Sequence, residues 1–157
     1  MATFGMMAPP AATPEDLSDP YTPYQAIADG NFALLKEYCQ NHAPASIVDE
    51  NGYTLWLAAA SYDRQDVLEW LLKPHNVDVH VVDEEGDSAL HYAGSVSTAR
   101  WLLETCRLNV LGKNAEDKTA RQAKQEELDD MMQDEENEYE DDDEDVIKLK
   151  ELVAFLG

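Results

Sequence analysis

The sequence predicts an all-α solenoid of about four helix-turn-helix repeats joined by short β-hairpin loops, the last repeat interrupted by an acidic insert. Three observations predict it. The stretch DENGYTLWLAAA at 49–60 returns 34 residues later as DEEGDSALHYAG at 83–94, and 31 residues further on as NAEDKTARQAK at 114–124. Self-similarity at a period of about 20–50 residues is the signature of stacked repeats. Each copy also joins a hairpin signal to a helix start: Gly52 and Gly86 take a tip position that favours positive φ, and Thr54, Ser88 and Thr119 follow as N-caps. Apolar stripes at helical spacing fill the remainder of each period, as in RQDVLEWLL, where Val67, Leu68, Leu71 and Leu72 share one face.

Residues 1–20, MATFGMMAPPAATPEDLSDP, have a composition that cannot bury a core and predict a disordered leader. Residues 21–48 form a degenerate first repeat. Ala26 and Ile27 take the small-residue positions, Gly30 the inter-helix turn, and Leu34, Leu35 and Tyr38 one face of the second helix; a terminal repeat is free to be irregular. Residues 49–82 are the most complete repeat. Its Trp70 and the Trp101 of the next repeat occupy equivalent helix positions, which stacking buries against one another. Both, with Trp56, are read as core rather than as a stacking platform for nucleotide bases. Residues 83–113 form a repeat short by three residues: Ala93 to Leu102-Leu103 is that much shorter than Ala59 to Leu71-Leu72. The deletion is placed around Gly94 to Thr98 and predicts a tightened turn between the two helices.

Residues 114–157 read as a fourth repeat that has been split open. A first helix starts at Thr119 and runs through ARQAKQEELDDMMQ; DVIKLKELVAFL supplies the second, with Val146, Leu149, Leu152, Val153 and Leu156 on one face. Between Glu126 and Asp145 stand 14 carboxylates and no base, densest at Asp141, Asp142, Asp143 and Glu144. This insert, 126–145, is expected to be solvated or disordered. Two positions depart from the repeat: Asp117 sits in the tip-glycine position, and Lys124 where a small core residue belongs.

Lys and Arg total 11 against 33 Asp and Glu, a net charge of −22. Phosphate backbones are poor partners for such a chain and basic proteins good ones. Removing the 14 charges of the insert still leaves −8, much of it at the hairpin tips. Cys39 and Cys106 lie far apart without a metal or disulfide spacing, which fits a reducing compartment. No apolar run approaches the roughly 18 residues of a membrane span, and the N-terminus lacks a secretory pattern, so a soluble intracellular protein is expected. His42, His75 and His80 have no ligand spacing, no carboxylate lies in an apolar run that would raise its pKa, and neither a phosphate loop, a GxSxG turn nor a calcium loop is present. The sequence therefore predicts no enzyme, no cofactor and no metal.

DEEGDSALHYA resembles the opening of an ankyrin repeat, whose signature is T-P-L-H-x-A. The resemblance covers about Pro23 to Leu156. It implies that His91 is the family's structural histidine, bonding backbone across the turn, and that the concave face formed by hairpin tips and first helices is the binding surface. By register that face comprises Glu50, Asn51, Tyr53, Ser61, Tyr62, Val82, Glu84, Glu85, Asp87, Ser95, Val96 and Glu116. An acidic groove with two tyrosines suits Lys and Arg side chains. The combination of GYTLWLAAASYDRQDVLEWLL, the shortened DEEGDSALHYAGSVSTARWLLE, KTARQA and an acidic gap before a final helix resembles a small fungal ankyrin family of cytoplasm and nucleus, similar in logic to dedicated assembly chaperones of ribosomal proteins. That resemblance implies a basic client, with the ribosomal protein of the large subunit's exit-site stalk as the expectation, and a chaperone monomeric before binding. Two alternatives stay open on sequence: a general ankyrin scaffold or regulator, and a histone-type chaperone.

Overall fold

The computed structural model describes residues 12–134 and 139–157. Most of the leader and the centre of the acidic run lie outside them. Within the described residues the chain forms eight α-helices: α1 (Thr22–Ala28), α2 (Phe32–Tyr38), α3 (Leu55–Ser61), α4 (Gln65–Leu72), α5 (Ala89–Tyr92), α6 (Val96–Thr105), α7 (Ala120–Gln133) and α8 (Glu144–Phe155). They pair as α1/α2, α3/α4, α5/α6 and α7/α8, four repeats in an all-α solenoid. The first helices pack side by side, α1 on α3, α3 on α5 and α5 on α7, while α8 closes onto both α7 and α6.

The hairpins that separate the repeats are minimal. Each is pinned by one antiparallel bridge, Val48 to Thr54, Val82 to Ser88 and Lys113 to Thr119. The residue that opens each hairpin explains why the sequence places Asp or Asn there. Asp49 Oδ1 accepts the backbone N–H groups of Asn51 and Tyr53 (2.8 Å each), and Asp83 Oδ1 those of Glu85 (3.0 Å) and Asp87 (2.9 Å). Asn114 Oδ1 does the same for Glu116 and Lys118 (3.0 Å each), because an amide oxygen accepts as a carboxylate oxygen does. Successive hairpins then hydrogen-bond to one another, Glu84 N–H to Asn51 O (3.0 Å) and Ala115 N–H to Glu85 O (2.9 Å). Gly86 permits that approach: its φ is +78°, and a Cβ there would stand 2.8 Å from Ala115 N.

Helix starts follow the capping rules. Thr54 Oγ accepts the Leu57 N–H (3.3 Å), and Thr119 and Gln122 close a reciprocal capping box at 3.3 and 2.9 Å. Ser88 and His91 close an equivalent box in which His91 Nδ1 accepts the Ser88 N–H (3.3 Å). With Nδ1 an acceptor, Nε2 carries the proton and donates to the Lys118 carbonyl of the next hairpin (3.0 Å), the cross-turn bond expected of this histidine. Tyr24 performs the same task in the first repeat, its hydroxyl donating to Tyr53 O (2.8 Å).

Ile27, Leu35, Leu55, Trp56, Leu57, Leu68, Leu71, Leu90 and Leu102 are fully buried in one core that runs through the stack. Trp70 and Trp101 are half-buried at its edge. Trp70 packs edge-on to Phe32 (5.6 Å between centroids) and Trp101 tilts against Trp56 (6.2 Å), so they serve packing as read, each in its own pocket and not against one another.

Three sequence expectations change in detail. The missing residues of the third repeat fall before Ser95, since Val96 and Thr98 already belong to α6 and align with α4. What is lost is the last turn of the first helix, leaving α5 four residues long against seven in α3. The acidic insert is not irregular from Glu126 onward: α7 continues to Gln133, and Asp143 and Glu144 begin α8, with Asp143 accepting the Asp145 N–H (3.0 Å). Helix propensity and the apolar Leu128 and Met131, packed with Val146 and Leu149 in a second small core, outweigh the charge. In the leader, residues 13–19 form a hydrogen-bonded turn in which Thr13 donates through N–H and hydroxyl to Asp16 Oδ2 (2.8 and 2.7 Å).

Candidate protein-binding face

The stacked hairpins carry the charge. Glu50, Glu84 and Glu85 project from successive tips, exposed, and their carboxylates have no partner among the described residues. Val82 is 47% and Tyr62 51% exposed, large side chains left to solvent. Val48, the residue equivalent to Val82 one repeat earlier, is 55% exposed and makes an apolar strip with it, which register alone had not singled out.

Other expected contact residues are committed to the fold. Asn51 joins hairpin to hairpin through its carbonyl. Asp87 Oδ1 accepts from Asn114 Nδ2 (2.7 Å). Ser95 caps α6 by accepting the Thr98 N–H (3.4 Å), Val96 packs on the core, and the half-buried Ser61 ends α3. Glu116 is not a free acid: Lys118 pairs with it at 2.7 Å and also with Glu126, while Lys113 pairs with Asp117 (2.9 Å). The third tip is thus electrically balanced, and the open carboxylates belong to the first and second hairpins.

Tyr53 lies at the centre of an aromatic row absent from the sequence reading. Tyr24 stacks on one side of it (5.7 Å) and Tyr92 tilts against the other (5.2 Å). The row is structural as well as a surface, since Tyr92 Oη donates to Asp83 Oδ2 (2.5 Å) and so ties helix to hairpin. Burial pushes the Tyr53 phenol up to about 12, and burial with the neighbouring Asp83 carboxylate raises that of Tyr92 further, so every ring in the row is neutral and a hydrogen-bond donor at physiological pH. Tyr24 stands three residues after the cap of α1 and Tyr92 four after Ser88, different register positions, so the repeat alone did not reveal the row.

Of the acidic insert, Asp141 pairs with Lys150 (2.6 Å) and Glu144 with Lys148 (2.8 Å), which holds both carboxyls below the usual carboxylate range, and Asp142 is exposed. Ion pairs this exposed contribute little and exchange readily for another cation. Among the described residues no three His, Cys, Asp or Glu side chains converge as a metal site, and no helix is long and apolar enough to cross a membrane.

A stack of hairpin-linked helix pairs with an exposed, charged hairpin face defines a solenoid repeat protein. The family of ankyrin repeats, described as three copies, matches residues 24–114, more than half of the chain, and the chain belongs to that family. It is similar to an ankyrin repeat-containing protein of Schizosaccharomyces pombe, 27% identical over 89 residues, which are 57% of this chain and 42% of that protein. The chain therefore spans less than half the length of this curated relative. Ankyrin repeats are protein-interaction modules.

Proposed function

We propose that the chain is a non-enzymatic module that shields a strongly basic, newly made ribosomal protein until ribosome assembly takes it up, with the protein of the large subunit's exit-site stalk as the proposed client. The observation that supports this most is the run of unpartnered, exposed carboxylates at Glu50, Glu84 and Glu85 in a chain of net charge −22, with Tyr62 and Val82 also open to solvent. Groove and insert would cover the Lys and Arg surface with which the client otherwise grips RNA. Nascent ribosomal RNA would displace them because its charge density is higher. The ribosomal identity of the client rests on the sequence resemblance, as do a monomeric state before binding and residence in cytoplasm and nucleus.

The test is affinity purification of the tagged protein followed by mass spectrometry, beside the variant Glu50→Gln/Glu84→Gln/Glu85→Gln. Asp87 is left intact because its bond to Asn114 holds two hairpins together. A single basic ribosomal protein recovered stoichiometrically, and lost in the variant, is the expected result. A neutral or acidic partner retained by both forms would overturn the chaperone in favour of a scaffold, and core histones in its place would overturn the choice of client.

A further inference from the structure

A cavity of about 300 Å³ opens where the third repeat is short. α5 ends after four residues, whereas α7, its neighbour, runs for 14, so the far half of α7 and the start of α8 overhang the α3–α4 turn with no helix between. The three lost residues are nearly one helical turn of about 3.6. The chain seals only part of the gap. Gly94 tucks its N–H onto Ala60 O (3.2 Å), and Thr98 Oγ donates to Asp63 Oδ1 (2.8 Å).

What remains has a distinctive lining. Met131, Leu149 and Leu152 give it an apolar floor and Tyr92 an aromatic wall, while carboxylates come from separate elements: Asp63 from the α3–α4 turn, Glu127 from α7 and Asp145 from α8. Two lysines also line it, each already paired, Lys124 with Glu127 (3.2 Å) and Lys148 with Glu144 (2.8 Å). Of the groups that line it, three carboxylates face two ammonium groups, an excess of one, and Asp63 Oδ1 already accepts from Thr98.

We infer that this cavity is a receptor for one arginine side chain of a basic protein partner. The inference rests on the proposed reading that the partner is basic. Each part of the lining matches a part of arginine: carboxylates on different walls suit the planar fork of five donors, a tyrosine ring suits its face, and the apolar floor suits its methylene stem. A lysine ammonium is a compact, strongly hydrated point charge and uses neither the fork nor the ring as well. The volume is at the lower end of ligand clefts, about 300–1,000 Å³, and admits a side chain, not a folded segment. Lys148 is the internal competitor, since its charge already feels Asp63 and Asp145. A partner held at the hairpin tips would gain from this cavity a single anchored residue, the kind of contact that dominates interface energetics.

The experiment is an amide NMR titration of the full chain with the amide of N-acetylarginine and, separately, its lysine counterpart. Saturable shifts are expected at Gly94, Met131 and Leu149, with arginine binding about fivefold or more tighter than lysine. Asp63→Asn/Asp145→Asn should weaken arginine about tenfold or more. Asparagine at 63 tolerates the positive φ of +55° and still accepts from Thr98, and an unchanged amide spectrum confirms that the fold is kept. Lys148→Met should tighten binding severalfold by removing the competitor. Shifts confined to the hairpin tips, no preference over lysine, or an unaltered response in the double asparagine variant would each overturn the cavity. Failed client capture with an intact arginine response would remove the chaperone reading and leave the cavity standing; the converse would remove the cavity alone.

Discussion

Gly94 shows at the scale of one residue how a deletion is made tolerable. Its φ is ordinary, so conformational freedom is not the reason for glycine; a Cβ there would lie 2.5 Å from Ser61 O and 2.8 Å from Asp63 Oδ2. Gly94→Ala must push the third repeat away from the α3–α4 turn, and a loss of about 1–3 kcal/mol is expected, the usual range for an overpacked site, read from the urea midpoint; an unchanged midpoint would mean the turn is not tight. A different expectation attaches to Cys39, whose thiol burial raises from 9.0 to about 11. A thiol so placed holds about 100-fold less thiolate at neutral pH, so alkylation followed by mass spectrometry should label it at least that much more slowly in the folded than in the unfolded chain. The recurrence of Asp49, Asp83 and Asn114 was legible in the repeat and His91 as a cross-turn bridge in the ankyrin resemblance, while the turn-organising bonds of the three came only with the structure. The packing role of Gly94 was not legible, since nothing in the chain near residue 94 announces that Ser61 lies against it.

Helix α7 departs most from an ordinary repeat element. Lys124 stands where Ala59 and Ala93 stand in the preceding repeats, and only 8% of it is exposed. The missing turn of α5 makes room for the longer side chain, so the two irregularities, a short third repeat and a lysine in an alanine position, answer one another. Its ammonium meets Glu127, whose carboxylate is half exposed. Removing the acid and removing the base should therefore differ in effect. Glu127→Gln leaves a largely buried cation without its counter-charge and should destabilise by about 1–2 kcal/mol, less than the 3–5 of a wholly buried pair. Lys124→Met keeps the aliphatic stem and removes the desolvated charge, and should be neutral within about 1 kcal/mol. Thermal melts of the two single variants and the double decide this; equal losses in both singles would show that the pair itself holds α7 in place. The length of the deletion and the start of α7 were legible in the sequence, because the repeat supplies an internal ruler; its far end lay within the stretch read as the acidic insert. The consequence, an open cavity beyond Tyr92, was not legible, since it depends on α7 outlasting α5 in space.

For the whole molecule the decisive quantity is a net charge of −22 on 157 residues. The repeat pattern made the solenoid legible because each helix pair must find its apolar neighbour one period away, and Trp56, Leu90 and Leu102 do so. The charge pattern of the proposed binding face was legible only in part. Register alone names every tip residue, but whether a carboxylate is free depends on neighbours such as Lys118 and Asn114, which neutralise Glu116 and engage Asp87. Charge of one sign has two consequences that salt should drive in opposite directions. Like charges repel within the folded chain, and raising ionic strength from about 0.05 to 0.5 M shortens the Debye length from roughly 14 to 4 Å, so the melting temperature should climb as the carboxylates are screened from each other. The same screening weakens attraction to a basic partner, so affinity for the captured client should fall by at least about tenfold over that range. Calorimetric melting and a binding titration on one salt series measure both. A melting temperature that rises while affinity falls is the behaviour of a fold that sacrifices stability to hold a cationic client; affinity that stays level as stability rises would place the interface in the apolar strip of Val48 and Val82 and remove charge as its basis.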